Sequence, residues 1–203
     1  TGMDIAPLQL NNKWKNIEKI ILVLSKKLQK NEIKVNAIQG IFYKKNFSLF
    51  KDYNKNFTKI YKHFLSIIKI CKILKCNKII IGSSDFRKKN TLNINLADVI
   101  FINFFKKIKK ILAKNNIYIC LEAIPLKYGE DYLYNFSHLL KLIKKLKCRW
   151  IKINFDTSLY HFEKFNKDIF IKNLKFIQNI QITEKNFKYL INPSLKNIRF
   201  SNL

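Results

Sequence analysis

One pattern constrains this chain more than any other: a change of hydrophobic period that repeats from one end to the other. Short apolar runs of strand length alternate with longer stretches in which apolar residues recur every three or four positions among lysines. Met3-Asp4-Ile5-Ala6 before Pro7, Ile33 to Phe42, Lys78 to Ile81, Ile117 to Leu121, Trp150 to Phe155 and a run from Ile180 read as strands. Trp14 to Leu28, Phe57 to Leu74, Ala97 to Leu112, Leu133 to Leu146 and Ile169 to Phe176 carry the helical spacing, and a last helix is expected near Leu195 to Leu203. Units of this kind, spaced by about 30 to 45 residues, are βα units, and their succession means a parallel sheet.

Two parallel-sheet architectures compete, an open doubly wound sheet and a barrel. A dinucleotide-binding open sheet carries a glycine-rich turn after its first strand, and none is present. Several runs instead end in an acid: Glu122 closes the Ile117 run, Asp156 the Trp150 run and Glu184 the Ile180 run. In a barrel those strand ends converge on one mouth, where chemistry is housed. After the Lys78 run comes Gly82-Ser83-Ser84-Asp85-Phe86-Arg87. Small residues there allow a ligand close to the backbone and Arg87 supplies a fixed charge, although an ordinary tight turn accounts for the same residues. Six strands are visible, and a full barrel of eight takes about 250 residues. The expectation is therefore an incomplete (β/α) barrel, one domain over residues 1–203, lacking its first and last strands as a fragment or a reduced form.

Composition enters through charge. The formal net charge is +27, which draws a protein toward phosphate backbones. Only Arg87, Arg149 and Arg199 of the 40 basic residues are arginine, the lysines follow the whole chain, and the abundant types are those with A/T-rich codons. This reads as base bias and solvated helix faces, with no specific nucleic-acid partner, because base readers use arginine's planar fork. Cys71, Cys76, Cys120 and Cys148 contain no CxxC pair and read as buried thiols. No run is long enough to cross a bilayer and no signal peptide is visible, so the expected setting is cytoplasmic with no membrane partner.

The residues also resemble the xylose isomerase-like TIM barrels, the sugar phosphate isomerase/epimerase superfamily that includes endonuclease IV-type enzymes. Gly2-Met3-Asp4-Ile5-Ala6-Pro7 is similar to that family's second strand, Ala37-Ile38-Gln39-Gly40-Ile41-Phe42 to its third, and Gly82-Ser83-Ser84 through Arg87 to its Gly-Ser-Pro-x-x-Arg loop. Leu121-Glu122-Ala123-Ile124-Pro125 with Tyr128-Gly129-Glu130-Asp131-Tyr132, and Asp156-Thr157-Ser158, are the most specific matches.

The resemblance implies a sugar or sugar phosphate as substrate and isomerase or epimerase chemistry, with a proton removed beside a carbonyl through an enediolate. It implies Glu122 as catalytic residue, Glu122, Asp156 and Gln181 as metal ligands, and Gln39, Ser83, Arg87 and Glu184 at the substrate. An oxygen donor set of this kind suits Mn²⁺ or Mg²⁺ better than Zn²⁺. Where the family often carries a histidine, three residues after the aspartate, this chain has Leu159, and Gln181 with Glu184 replaces a His-x-x-acid pattern. Those departures keep a second reading open, a non-catalytic barrel remnant. A third, an endonuclease IV-type repair enzyme, needs many histidines where this chain has three. Unpaired edge strands would invite a homo-oligomer.

Overall fold

A computed structural model describes residues 2–11, 13–82, 85–162 and 166–183 of the chain. Its elements run β1 (Gly2–Ile5), α1 (Pro7–Leu10), α2 (Ile17–Lys30), β2 (Lys34–Ile38), α3 (Tyr53–Leu74), β3 (Lys78–Ile81), α4 (Ile94–Asn115), β4 (Tyr118–Glu122), α5 (Phe136–Leu146), β5 (Ile151–Asp156), α6 (Ser158–Phe162), α7 (Lys167–Lys172) and β6 (Ile177–Gln181). All six strands are parallel and lie in sequence order in one sheet, β1 to β6. Consecutive long helices pack side by side on the outside. The result is an incomplete TIM barrel, as the alternation of periods requires.

Strand parity decides which side chains face which way. Ile79, Ile81, Ile119, Leu121, Ile151, Ile153 and Phe155 join the main core against the helices. Ala37, Ile80 and Cys120, with Tyr118 beside them, form a separate small cluster on the inner face. Glu122 has the parity of Tyr118 and Cys120, so it belongs to the inner face, at the last position of its strand. An extra residue interrupts two ladders: Asn36 lies between the β1 partners Val35 and Ala37, and Gln178 between the β5 partners Ile177 and Asn179. Such bulges re-aim side chains. Here they turn Asn36 and Asn179 toward each other across the interior, joined at 3.1 Å.

The helices start and stop for local reasons. Asn93, Asn135 and Asn166 cap α4, α5 and α7 with side-chain oxygens that accept from the backbone N–H groups of Asn95, His138 and Ile169. Leu133, read from the sequence as part of the fourth amphipathic stretch, therefore precedes its helix. The helix expected from Ile169 is split, α7 ending at Lys172 and a 3₁₀ turn taking Leu174–Phe176. β2 ends at Ile38 instead of running on to Phe42, because Gly40 turns the chain at φ +64° and folds Ile41 and Phe42 inward. β6 begins three residues earlier than its sequence pattern suggests, which makes Gln181 its last rung. The helix expected at Leu195 to Leu203 lies outside the described residues.

All four cysteines are free thiols, and Cys71, Cys76 and Cys120 are buried as read from the sequence, whereas Cys148 is only half-buried. No helix among the described residues is long and apolar enough to cross a membrane.

Candidate active site

The C-terminal ends of β2, β3 and β4 open into a cleft of ≈ 730 Å³, lined by Gln39, Gly40, Phe42, Lys45, Gly82 and Glu122 among others. That volume is within the usual range for a small-molecule site. Glu122 reaches it because the neighbouring strand end is a glycine. A Cβ at Gly82 would stand 2.8 Å from Glu122 Oε2 and 3.0 Å from Cδ, so any larger residue there collides with the carboxylate.

The carboxyl keeps a partly accessible edge toward the cleft, yet protein surrounds it closely. Burial pushes its pKa up to about 7, and the charge of Asp156 adds to the rise. A hydrogen bond from Asn154 Nδ2 to Oε2 (2.9 Å) and the charge of Arg87 pull the other way. The same Asn154 nitrogen donates to Gln181 Oε1 at 2.7 Å, so the oxygens of Glu122 and Gln181 converge on one donor. Gln181 Nε2 in turn donates to Asp4 Oδ2 (3.1 Å) and to Gln39 Oε1 (3.2 Å). Glu122, Gln39 and Gln181 are thus brought into one network at the mouth.

Asp156 is adjacent but differently occupied. It is 8% exposed, and its Oδ1 accepts from Ser158 N–H at 2.6 Å while Oδ2 accepts from Thr183 Oγ1 at 2.8 Å. Arg87 lies below the cleft instead of lining it. At 1% exposure, its Nε donates to Glu130 Oε2 at 2.7 Å and Nη1 to the Ile81 carbonyl at 3.3 Å. Nη2 is also 2.7 Å from Glu130 Oε2, at an angle that makes it an ion-pair contact, not a second hydrogen bond. The guanidinium that the sequence suggested for a phosphate or hydroxyl is spent on Glu130. Ser83 and Glu184 lie outside the described residues.

Sequence reasoning missed Asn154, Asn179 and Lys78, because an asparagine or a lysine inside a strand-like run gives no signal of what faces it. It also passed over Glu130 as a ligand to Arg87, although the two belong to motifs quoted above.

A metal can be tested against the donors present. Among the described residues no three His, Cys, Asp or Glu side chains gather closely enough to hold an ion by themselves. The oxygens that do approach one another belong to Glu122 and Gln181, with Asp156 close enough to act electrostatically on Glu122. Such donors fit in kind an oxygen-preferring divalent ion completed by water, and they do not fit a zinc centre of histidine and cysteine. His63 and His138 are absent from the cleft lining: His63 bonds the Ile41 carbonyl (2.6 Å) and His138 bonds Asp98 (2.9 Å).

No protein-family model matches the sequence, and no curated protein matches it. Solved structures do match in fold. A 3-keto-D-glucoside 4-epimerase from E. coli, in its apo form, is 13% identical with a TM-score of 0.76 over 99% of this chain and 75% of its own. An AP endonuclease of family 2 from Brucella melitensis is 12% identical, TM-score 0.74, over 90% of this chain and 71% of its own. The IOLI protein with a bound zinc atom is 13% identical, TM-score 0.65, over 92% of this chain and 63% of its own. The fold is a TIM barrel like theirs, here incomplete. At these identities the likeness establishes the fold.

Proposed function

We propose that this chain carries the site of a sugar or sugar-phosphate isomerase or epimerase in which Glu122 transfers the proton. The observation that carries the reading is the carboxyl at the end of β4, facing a cleft of ligand size with its pKa pushed up to about 7. A base that titrates near the working pH is ionised often enough to take a proton and protonated often enough to return one. Glu122 Oε would accept the proton from a carbon next to the substrate carbonyl while the C–H electron pair enters the enediolate. For isomerisation the same carboxylic acid returns that proton to the former carbonyl carbon, while the hydroxyl proton of the first carbon passes to the former carbonyl oxygen and a new carbonyl is left at the first carbon. For epimerisation an acid on the opposite face of the sugar would have to return the proton. Asn154, donating to Oε2, holds the carboxylate in one orientation. Gln39 offers a carboxamide to sugar hydroxyls from the β2 side of the cleft. Ser83 and Glu184 remain proposed substrate contacts.

Glu122, Asp156 and Gln181 would hold a divalent ion, Mn²⁺ or Mg²⁺ ahead of Zn²⁺. When bound, such an ion would polarise the substrate carbonyl. The alternative, a barrel that keeps its fold without turnover, is favoured by one observation: both Asp156 oxygens already have protein donors. Melting the wild type and Glu122→Gln with each ion, alongside turnover of a panel of aldoses and ketoses, separates the two. Ligand-dependent stabilisation and turnover that vanish in the variant support the isomerase, since a ligand for the folded state must raise its melting point. A wild type that neither binds ions nor converts any sugar leaves the scaffold reading.

A further inference from the structure

Beneath the mouth, the interior of the barrel holds a polar chain where barrels of this kind usually pack branched apolar side chains. Lys78, on β3, donates from Nζ to the side-chain oxygens of Asn36 and of Asn179, the latter at 3.2 Å. Asn179 Nδ2 donates to Asn154 Oδ1 at 2.8 Å. Asn154 Nδ2 donates to Glu122 Oε2 and Gln181 Oε1. Asn154 is wholly buried and Asn179 nearly so.

The direction of this chain follows from its ends. An ammonium only donates and a carboxylate only accepts. Asn179 must therefore show its oxygen to Lys78, which sends its NH₂ toward Asn154. Asn154 must then show its oxygen to Asn179, which leaves its NH₂ for Glu122. A second branch obeys the same rule, since Asn36 accepts from Lys78 and donates to Asp4 Oδ1 at 2.8 Å. Each link polarises the next, so the chain acts as more than a set of separate bonds.

We propose that Lys78, Asn179 and Asn154 form a directional hydrogen-bond relay that fixes the Asn154 amide as the positioning group for Glu122 and Gln181. Reversing either amide would set oxygen against oxygen, so the relay selects one rotamer of each. Asn154 Nδ2 takes one lone pair of Glu122 Oε2 and one of Gln181 Oε1, which leaves Glu122 Oε1 and the second lone pairs for an ion. Naming these residues as positioners of a base rests on the function proposed above, whereas the relay itself does not.

The test reads side-chain amide protons by NMR in the metal-free protein, independently of turnover. In the wild type, both Asn154 Nδ2 protons are expected downfield and slow to exchange compared with those of exposed Asn95. Lys78→Met is expected to move the Asn179 and Asn154 amide protons upfield. Lys152→Met serves as the control: it removes an equal charge from a lysine that also acts electrostatically on Cys120, yet its Nζ donates to the Lys175 carbonyl, outside the relay. It is expected to leave both amides in place. Equal shifts in the two variants, or no shift in either, overturn the relay. If Lys78→Met does not fold, the wild-type spectrum decides, and Asn154 protons that exchange as fast as those of Asn95 overturn it. An intact relay in a protein that turns over no sugar removes the function and leaves the relay standing.

Discussion

Glu122 concentrates the cost and the use of this site in one carboxyl. Because burial raises its folded pKa from 4.5 to about 7, it favours the folded state fully below about pH 4.5 and loses that contribution as pH rises through 7. The sign is that of an acid which folds more readily when protonated, and the size is roughly 3 kcal/mol at most. Metal-free protein is therefore expected to lose stability between pH 4.5 and 7 by chemical denaturation, and Glu122→Gln to flatten that slope. An equal slope in both proteins would remove Glu122 as its cause. Gly82 is the companion residue. Gly82→Ala places a methyl 2.8 Å from Glu122 Oε2, the far end of a flexible side chain that can swing toward the cleft. The variant should show the carboxyl displaced and its hydrogen bond from Asn154 lost, at a cost of about 1 kcal/mol. Glu122 was legible in the sequence because an apolar run ends on it. Its partner Asn154 was not, because a strand-like run reports which residues are buried and stays silent on which polar groups meet inside.

The elements around the mouth are held by a joint between the segments that leave β3 and β4. Glu130 binds Arg87 with one oxygen and the backbone N–H groups of Tyr132 and Leu133 with the other, at 3.1 and 3.3 Å. Asp131 accepts from the N–H groups of Lys89 and Asn90, both at 2.8 Å. Tyr132 adds its hydroxyl, donated to Asp98 on α4 at 2.9 Å. Removing one partner of a buried ion pair strands the other's charge, at a cost of about 3 to 5 kcal/mol. Glu130→Ala is expected to lose that much in urea unfolding, and Arg87→Met combined with Glu130→Leu to recover only part of it, because the Tyr132 and Leu133 N–H groups still lose their acceptor. A single variant that costs no more than a surface change would show that the pair does not hold the joint. The strands β3, β4 and β5 were legible almost to the residue, since each is a short run buried on both faces of the sheet. The end of β2 and the start of β6 were not. Isoleucine and phenylalanine beyond Gly40 look like strand, and only the positive φ at the glycine takes them out of it.

On the scale of the described molecule, the curled sheet brings β1 and β2 within side-chain reach of β6. Asn36 and Asn179 meet across the interior, and Gln181 donates to Asp4. The alternation of periods foretold the parallel barrel, and acids at strand ends pointed to the mouth. The polar interior had no such signal: Asn36, Asn154 and Asn179 are spread over 143 residues of sequence between the outermost pair. Among the described residues, lysines of the outer helices carry much of the +27 charge, and Lys44 and Lys45 bring part of it to the lining of the cleft. What enters is best tested by its proton. Incubated in D₂O near pH 7 with Mn²⁺ and a panel of aldoses, ketoses and their phosphates, the protein is expected to wash deuterium into the C–H next to the carbonyl of at least one sugar, and Glu122→Gln to wash in none. Exchange that proceeds equally in the variant, or no exchange with any sugar in a folded wild type, would contradict the account.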